Sequence, residues 1–102
     1  MKKRFLILLA FLWMIHNAQA ACLFADKLWA EKSYELALAN YEKCVYEDND
    51  AVAQYTLATY YLDGTDFLEQ DVRHALFLLR LSAENGYAPA QSKLAEVMDV
   101  LS

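Results

Sequence analysis

The octapeptide A-V-A-Q-Y-T-L-A, residues 51–58, returns 37 positions later as A-P-A-Q-S-K-L-A, residues 88–95. Ala51, Ala53, Gln54, Leu57 and Ala58 thus recur at Ala88, Ala90, Gln91, Leu94 and Ala95. The stretch between the copies echoes an earlier one: Y-E-L-A-L-A-N-Y, residues 34–41, aligns with V-R-H-A-L-F-L-L, residues 72–79. That alignment pairs Ala37 with Ala75 and Leu38 with Leu76 at an offset of 38. A fixed period of this size, with two helices per unit, marks chains built by stacking one helical hairpin on the next. Small residues such as Ala53 and Ala58 let neighbouring helices approach closely while larger residues interlock around them. The expected fold is all-α: a short α-solenoid of antiparallel helical hairpins with a C-terminal capping helix.

Apolar spacing supports helices throughout. Ala75, Leu78, Leu79, Ser82 and Ala83 recur at i, i+3, i+4, i+7 and i+8, one helical stripe. Ala37, Tyr41, Cys44 and Val45 form another, with Asn40 as its polar exception. Ala53, Leu57, Tyr60 and Tyr61 form a third, and Ala90, Leu94, Val97, Met98 and Leu101 a fourth. A shorter first helix from Cys22 to about Glu31 carries Leu28 and Trp29. The links are brief and polar. Asn85-Gly86 accepts the left-handed conformation that closes a helix, and Pro89 suits a first helical turn because its missing amide hydrogen is not needed there. Ser33 and Asp50 (or Asn49) are the natural N-caps, and Gly64 is a C-cap. No strand is expected.

These residues also carry a resemblance. A-Q-Y-T-L-A-T-Y-Y-L-D-G, followed by D-V-R-H-A-L-F-L-L-R-L-S-A-E-N-G-Y-A-P-A-Q, resembles a Sel-one-like repeat, a longer relative of the tetratricopeptide repeat. Ala53, Leu57, Tyr61, Asp63-Gly64, Asp71, Ala75, Ala83, Gly86 and Ala90 stand where that pattern expects them, and residues 51–98 carry most of the match. Asp66 replaces a second glycine of the family pattern, the loop to Asp71 is one residue longer, and Ala58 replaces a usual glycine. The resemblance implies a protein-binding scaffold with no catalytic residues of its own. For an exported member it implies an inhibitor, an immunity-type partner or an adaptor of an envelope protein.

Export follows from the N-terminus. Lys2, Lys3 and Arg4 precede an unbroken apolar run from Phe5 to Ile15, and Ala18-Gln19-Ala20 supplies an A-x-A cleavage site. This is the layout of a secretory signal peptide, and its 11 apolar residues fall short of the roughly 20 that span a bilayer. Residues 1–20 are therefore expected to leave, and residues 21–102 to form one small periplasmic or secreted domain. Three of the nine basic residues go with the leader, leaving six against 14 acidic, a net charge of −8. Such a surface disfavours nucleic acid, whose phosphates need Lys and Arg, and a polybasic membrane contact. The expected partner is a protein or peptide of the cell envelope, with no membrane span after cleavage.

Cys22 and Cys44 lie 11 residues to either side of Ser33, the turn between the first two helices. In an antiparallel hairpin such positions end up side by side. An even cysteine count in an exported chain points the same way, to a disulfide. Lipidation of Cys22 is the rival use: Ala20 and Ala21 suit a lipoprotein signal and Gln19 does not. Redox-active pairs usually occur as C-x-x-C, and two cysteines plus His74 are one ligand short of a zinc site. No metal and no cofactor are expected.

E-D-N-D, residues 47–50, lacks the glycine and distal glutamate of a calcium loop and reads as a solvated turn. His74, the only histidine after the leader, sits beside Arg73 with no nucleophile in view, so it is expected to be structural. No residue is assigned a catalytic role; a small hydrolase or redox factor is the remaining, disfavoured class. Tyr55 shares a face with Val52, Thr59 and Leu62, away from the Ala53/Leu57 stripe. Helices that begin each unit line the concave face of such stacks, and tyrosine joins apolar area to a hydroxyl. Tyr55, Thr59, Ser92 and Glu96 are the expected partner-binding residues.

Overall fold

A computed structural model describes residues 22–102. The expected signal peptide and its cleavage site lie outside the described residues. Among the described residues every regular element is helical and no strand occurs: α1 over residues 22–30, α2 Tyr34–Glu42, α3 Ala51–Asp63, α4 Val72–Glu84 and α5 Ala88–Leu101. None of these helices is long and apolar enough to cross a membrane. The last turns after α2 widen into a π-helix, Lys43–Glu47, where Asp48 N–H reaches back five residues to the Lys43 carbonyl. The 3.6-residue stripe gave no sign of this widening. Both Cys44 and Val45 nevertheless lie buried there.

Consecutive helices run antiparallel. The start of α3 meets the end of α4, where Ser82 Oγ donates to the Ala51 carbonyl at 2.6 Å. The end of α3 meets the start of α4, where the Tyr61 ring stacks on His74 at 4.1 Å. As a result α1, α3 and α5 lie with like ends together. Trp29 late in α1 stacks on Tyr60 late in α3 at 4.1 Å. Tyr55 early in α3 meets Tyr87 at the head of α5, with ring centres 5.3 Å apart. The core runs along the interior of this arrangement through Ala25, Leu28, Ala37, Tyr41, Val45, Ala53, Leu57, Ala58, Leu78, Leu79 and Ala90. Alanines at the crossings permit the close approach that the sequence led us to expect.

The two corners that open α3 and α5 share one geometry. Asn49 has a left-handed φ of 50° and Gly86 one of 86°. Each is followed by an extended N-cap residue, Asp50 and Tyr87, and then by the helix. Gln54 Nε2 donates to the carbonyl of Val45 at 3.1 Å, and Gln91 Nε2 to that of Ala83 at 3.1 Å. These contacts are 37 residues apart on one side and 38 on the other, the offsets found in the sequence. The corners are also tied together. Asn85 Nδ2 lies 3.0 Å from both Asn49 Oδ1 and Gln54 Oε1, so three amides satisfy one another around the fully buried Gln54. A buried amide without partners would cost several kcal/mol, and here each is paired.

Caps differ in part from expectation. Asp50 Oδ1 accepts from Ala53 N–H at 3.0 Å. Asp71 does the same for His74 N–H at 3.1 Å. Ser33 occupies the N-cap position of α2, but its side chain makes no capping bond there. Its backbone instead follows Lys32, which has a left-handed φ of 66°, and Ser33 N–H closes on the Leu28 carbonyl. Gly64 ends α3 with φ 75°. In the loop beyond it, Thr65 Oγ1 accepts from Phe67 and Leu68 N–H and Leu68 is buried. Asp66 keeps a negative φ, so the backbone at that position does not call for glycine. The apolar stripe expected on α5 is only partly used: Ala90 is buried and Leu94 and Val97 are half-buried, while Met98 and Leu101 remain exposed.

A disulfide clamp and an apolar cleft as the candidate functional site

Cys22 and Cys44 are joined by a disulfide, with their Cα atoms 6.0 Å apart. The bond ties the start of α1 to the π-helical end of α2, as symmetry about Ser33 implied. It also uses the Cys22 sulfur that a lipid anchor would require. Next to it the Tyr41 hydroxyl, buried among α1–α3, donates to Asp26. Burial first, and then this bond to a carboxylate, push the Tyr41 phenol well above its ordinary range. Tyr61 is raised as well, by burial and then by the carboxylate of Glu42.

Between α3, the start of α4 and α5 lies a cleft of about 200 Å³ lined by Leu62, Val72, Glu96, Val97, Val100 and Leu101. Its walls are aliphatic, and Glu96 is the one ionisable group lining it. Val100 is 80% exposed and Leu101 58%. Aliphatic side chains so open to water at the lip of a concavity offer area to a partner. A second depression of about 430 Å³, lined by Lys32, Ser33, Tyr34, Glu35, Leu36 and Phe67, is wider and more polar. Its aromatic side is already committed, since Tyr34 stacks on Phe67 and packs edge-on against Trp29.

The expected binding residues are distributed over this face unevenly. Tyr55 is half-buried and leans on Tyr87. Thr59 is half-buried and its hydroxyl donates to the Thr56 carbonyl within its own helix, which leaves it little to offer a ligand. Glu96 reaches the cleft and lies 3.6 Å from Lys93. Ser92 is exposed one turn before Glu96. The structure therefore brings Tyr55 together with Tyr87, and Glu96 together with Leu62, at opposite ends of one α3/α5 seam. Val97 and Leu101 had been placed in a core stripe, and Val72, Tyr87 and Val100 had no assignment. The available signal was the spread of apolar residues at the end of α5: Val97, Met98, Val100 and Leu101 cover more of its circumference than one buried stripe needs.

His74 is half-buried with its ring on Tyr61, and Nε2 lies 3.5 Å from the Tyr46 hydroxyl. The groups against its ring are phenols, not a carboxylate and a nucleophile. Among the described residues no group of three His, Cys, Asp or Glu side chains is placed to hold a metal ion. Fold and site together define a small all-helical domain clamped by one disulfide, with an aliphatic cleft among its concave features. Comparison with protein-family models, with curated proteins and with solved structures finds no match.

Proposed function

We propose that the chain is an exported, non-enzymatic protein-binding module of the cell envelope, a short solenoid of Sel-one-like repeats that docks a protein or peptide along the α3/α5 seam. The observation that carries this reading is the cleft lined by Leu62, Val97, Val100 and Leu101, aliphatic and open to water, with the Tyr55–Tyr87 pair at the other end of the seam. Support for the repeat architecture comes from the twin corners at Asn49 and Gly86 and from the matched Gln54 and Gln91 contacts. The role is that of an inhibitor, an immunity-type partner or an adaptor, each of which needs contact area and no chemistry.

The test is an affinity capture from the envelope fraction, followed by titration of the captured partner. Val100→Asp and Tyr55→Ala should each weaken binding by more than about 1 kcal/mol, the usual mark of an energetically important contact. His74→Ala should leave affinity unchanged. Loss of function in a folded His74→Ala protein, or turnover of a substrate by the wild type, would overthrow the reading.

A further inference from the structure

The outer face of α5 copies the face by which α3 holds α4. On α3 that face consists of Ala51, whose carbonyl accepts from Ser82 Oγ; Gln54, whose Oε1 accepts from Asn85 Nδ2; Ala58, fully buried; and Tyr61, stacked on His74. The positions 37 residues on are Ala88, Gln91, Ala95 and Met98. Three of the four residues are identical, and Gln91 also repeats the bond that Gln54 makes to the end of the preceding helix. Yet Gln54 and Ala58 are fully buried, whereas Gln91 and Ala95 are exposed and Met98 is 43% exposed. The described residues place no helix there.

We propose that this face of α5 is a docking site for a basic amphipathic helix of a partner protein, seated as α4 is seated on α3. The geometry fixes the form of the ligand. Gln91, Ala95 and Met98 lie at i, i+4 and i+7, a stripe along α5 that matches one face of a crossing helix, and the small Ala95 admits a close crossing. Charge fixes its sign. The helix that covers α3 carries Arg73 and Arg80 against Glu84 alone. The rest of the described chain then has four basic and 13 acidic residues, a net charge of −9. Asp99, one turn beyond Ala95, is exposed at the edge of the stripe. A basic helix is favoured there and an acidic one is repelled. The site rests on the reading of the chain as a binding module but uses a different surface from the cleft.

The probe is a peptide of residues 72–85, V-R-H-A-L-F-L-L-R-L-S-A-E-N, acetylated, amidated and labelled, titrated by fluorescence anisotropy into the full mature protein. It contains the Ser82 and Asn85 anchors and the leucine stripe. Saturable binding is expected below about 1 mM, with Ala95→Arg in the protein weakening it at least about tenfold. A peptide carrying Arg73→Glu and Arg80→Glu should bind at least about fivefold more weakly at low salt. Tyr55→Ala in the protein, at the Tyr55–Tyr87 end of the α3/α5 seam, should change peptide affinity by less than about twofold, so the two sites fail independently. Absence of saturable binding overturns the proposal, as does binding that survives Ala95→Arg or ignores the charge reversal. So does a dimer in sedimentation that Ala95→Arg converts to monomer, because the occupant would then be a second copy. Circular dichroism checks that Ala95→Arg, an exposed change to a good helix former, leaves the helices intact.

Discussion

Removing the disulfide should cost this domain a large fraction of its stability, and the structure says where the loss appears first. The bridge closes a loop of 22 residues between Cys22 and Cys44. The chain-entropy relation gives about 11 cal/mol/K for that loop, or about 3 kcal/mol at 25 °C. Cys44 is buried at 1% exposure, so serine there would add a buried hydroxyl. The double variant Cys22→Ala/Cys44→Ala isolates the constraint better. For a domain of this size a loss of 3 kcal/mol lowers the melting temperature by roughly 12–24 °C. α1 spans about nine residues, too short to persist alone in water. Its second half remains held by Leu28, by the Trp29–Tyr60 stack and by packing under Tyr41, whereas its first turn is held by the buried Ala25 and the sulfur bridge. Hydrogen exchange in the double variant should therefore accelerate first at the start of α1 and spare residues near Trp29. Two free thiols in denatured protein purified without reductant, or a double variant that melts with the parent, would refute the reasoning.

Gln54→Ala should destabilise by about 2–4 kcal/mol in urea titration, because it opens a cavity and strands Val45 and Asn85 partners, while Gln91→Ala, at the exposed equivalent position, should cost less than about 1 kcal/mol. Gly86→Ala should cost about 1–2 kcal/mol through its left-handed φ alone, since nothing lies within 4 Å of the added carbon. Gly64→Ala should cost more, because its φ 75°, ψ 159° conformation is essentially reserved for glycine and the new carbon would sit 3.2 Å from Gln70 N. The raised Tyr41 phenol makes the folded state hold a proton that the unfolded state releases above about pH 10. Stability is unaffected below that pH and falls as pH rises past it; Tyr41→Phe should flatten the fall, and a Tyr41 that ionises near pH 10 without unfolding would contradict its burial.

How much of this was legible in advance depends on range along the chain. Local chemistry was written plainly. Asp50 caps because a short carboxylate before an alanine-rich start meets a free amide. Gly86 closes α4 because that turn needs φ above zero. The Cys22–Cys44 pairing followed from equal distances to one turn. The all-helical class followed from stripes that repeat at helical spacing. The cleft was legible only in part. Of the expected residues Glu96 lines it, whereas Tyr55 lies at the other end of the seam, Thr59 turns its hydroxyl into its own helix, and Val72 and Val100 come from segments that no pattern in the sequence joins.

The sequence by itself determined which residues form helices, where those helices stop and which cysteines can meet, because capping, turn chemistry and periodicity act over a few residues and need no knowledge of neighbours. Tertiary structure decided the rest. It made Ala58 core and Ala95 surface although the two occupy the same place in the repeated motif, because burial depends on whether another helix lies alongside. It turned Gln54 into the centre of a buried amide network and left Gln91 open, and it assembled an aliphatic cleft from the ends of three helices. Identical residues in identical local conformations acquire different roles when one copy is covered and the other is not.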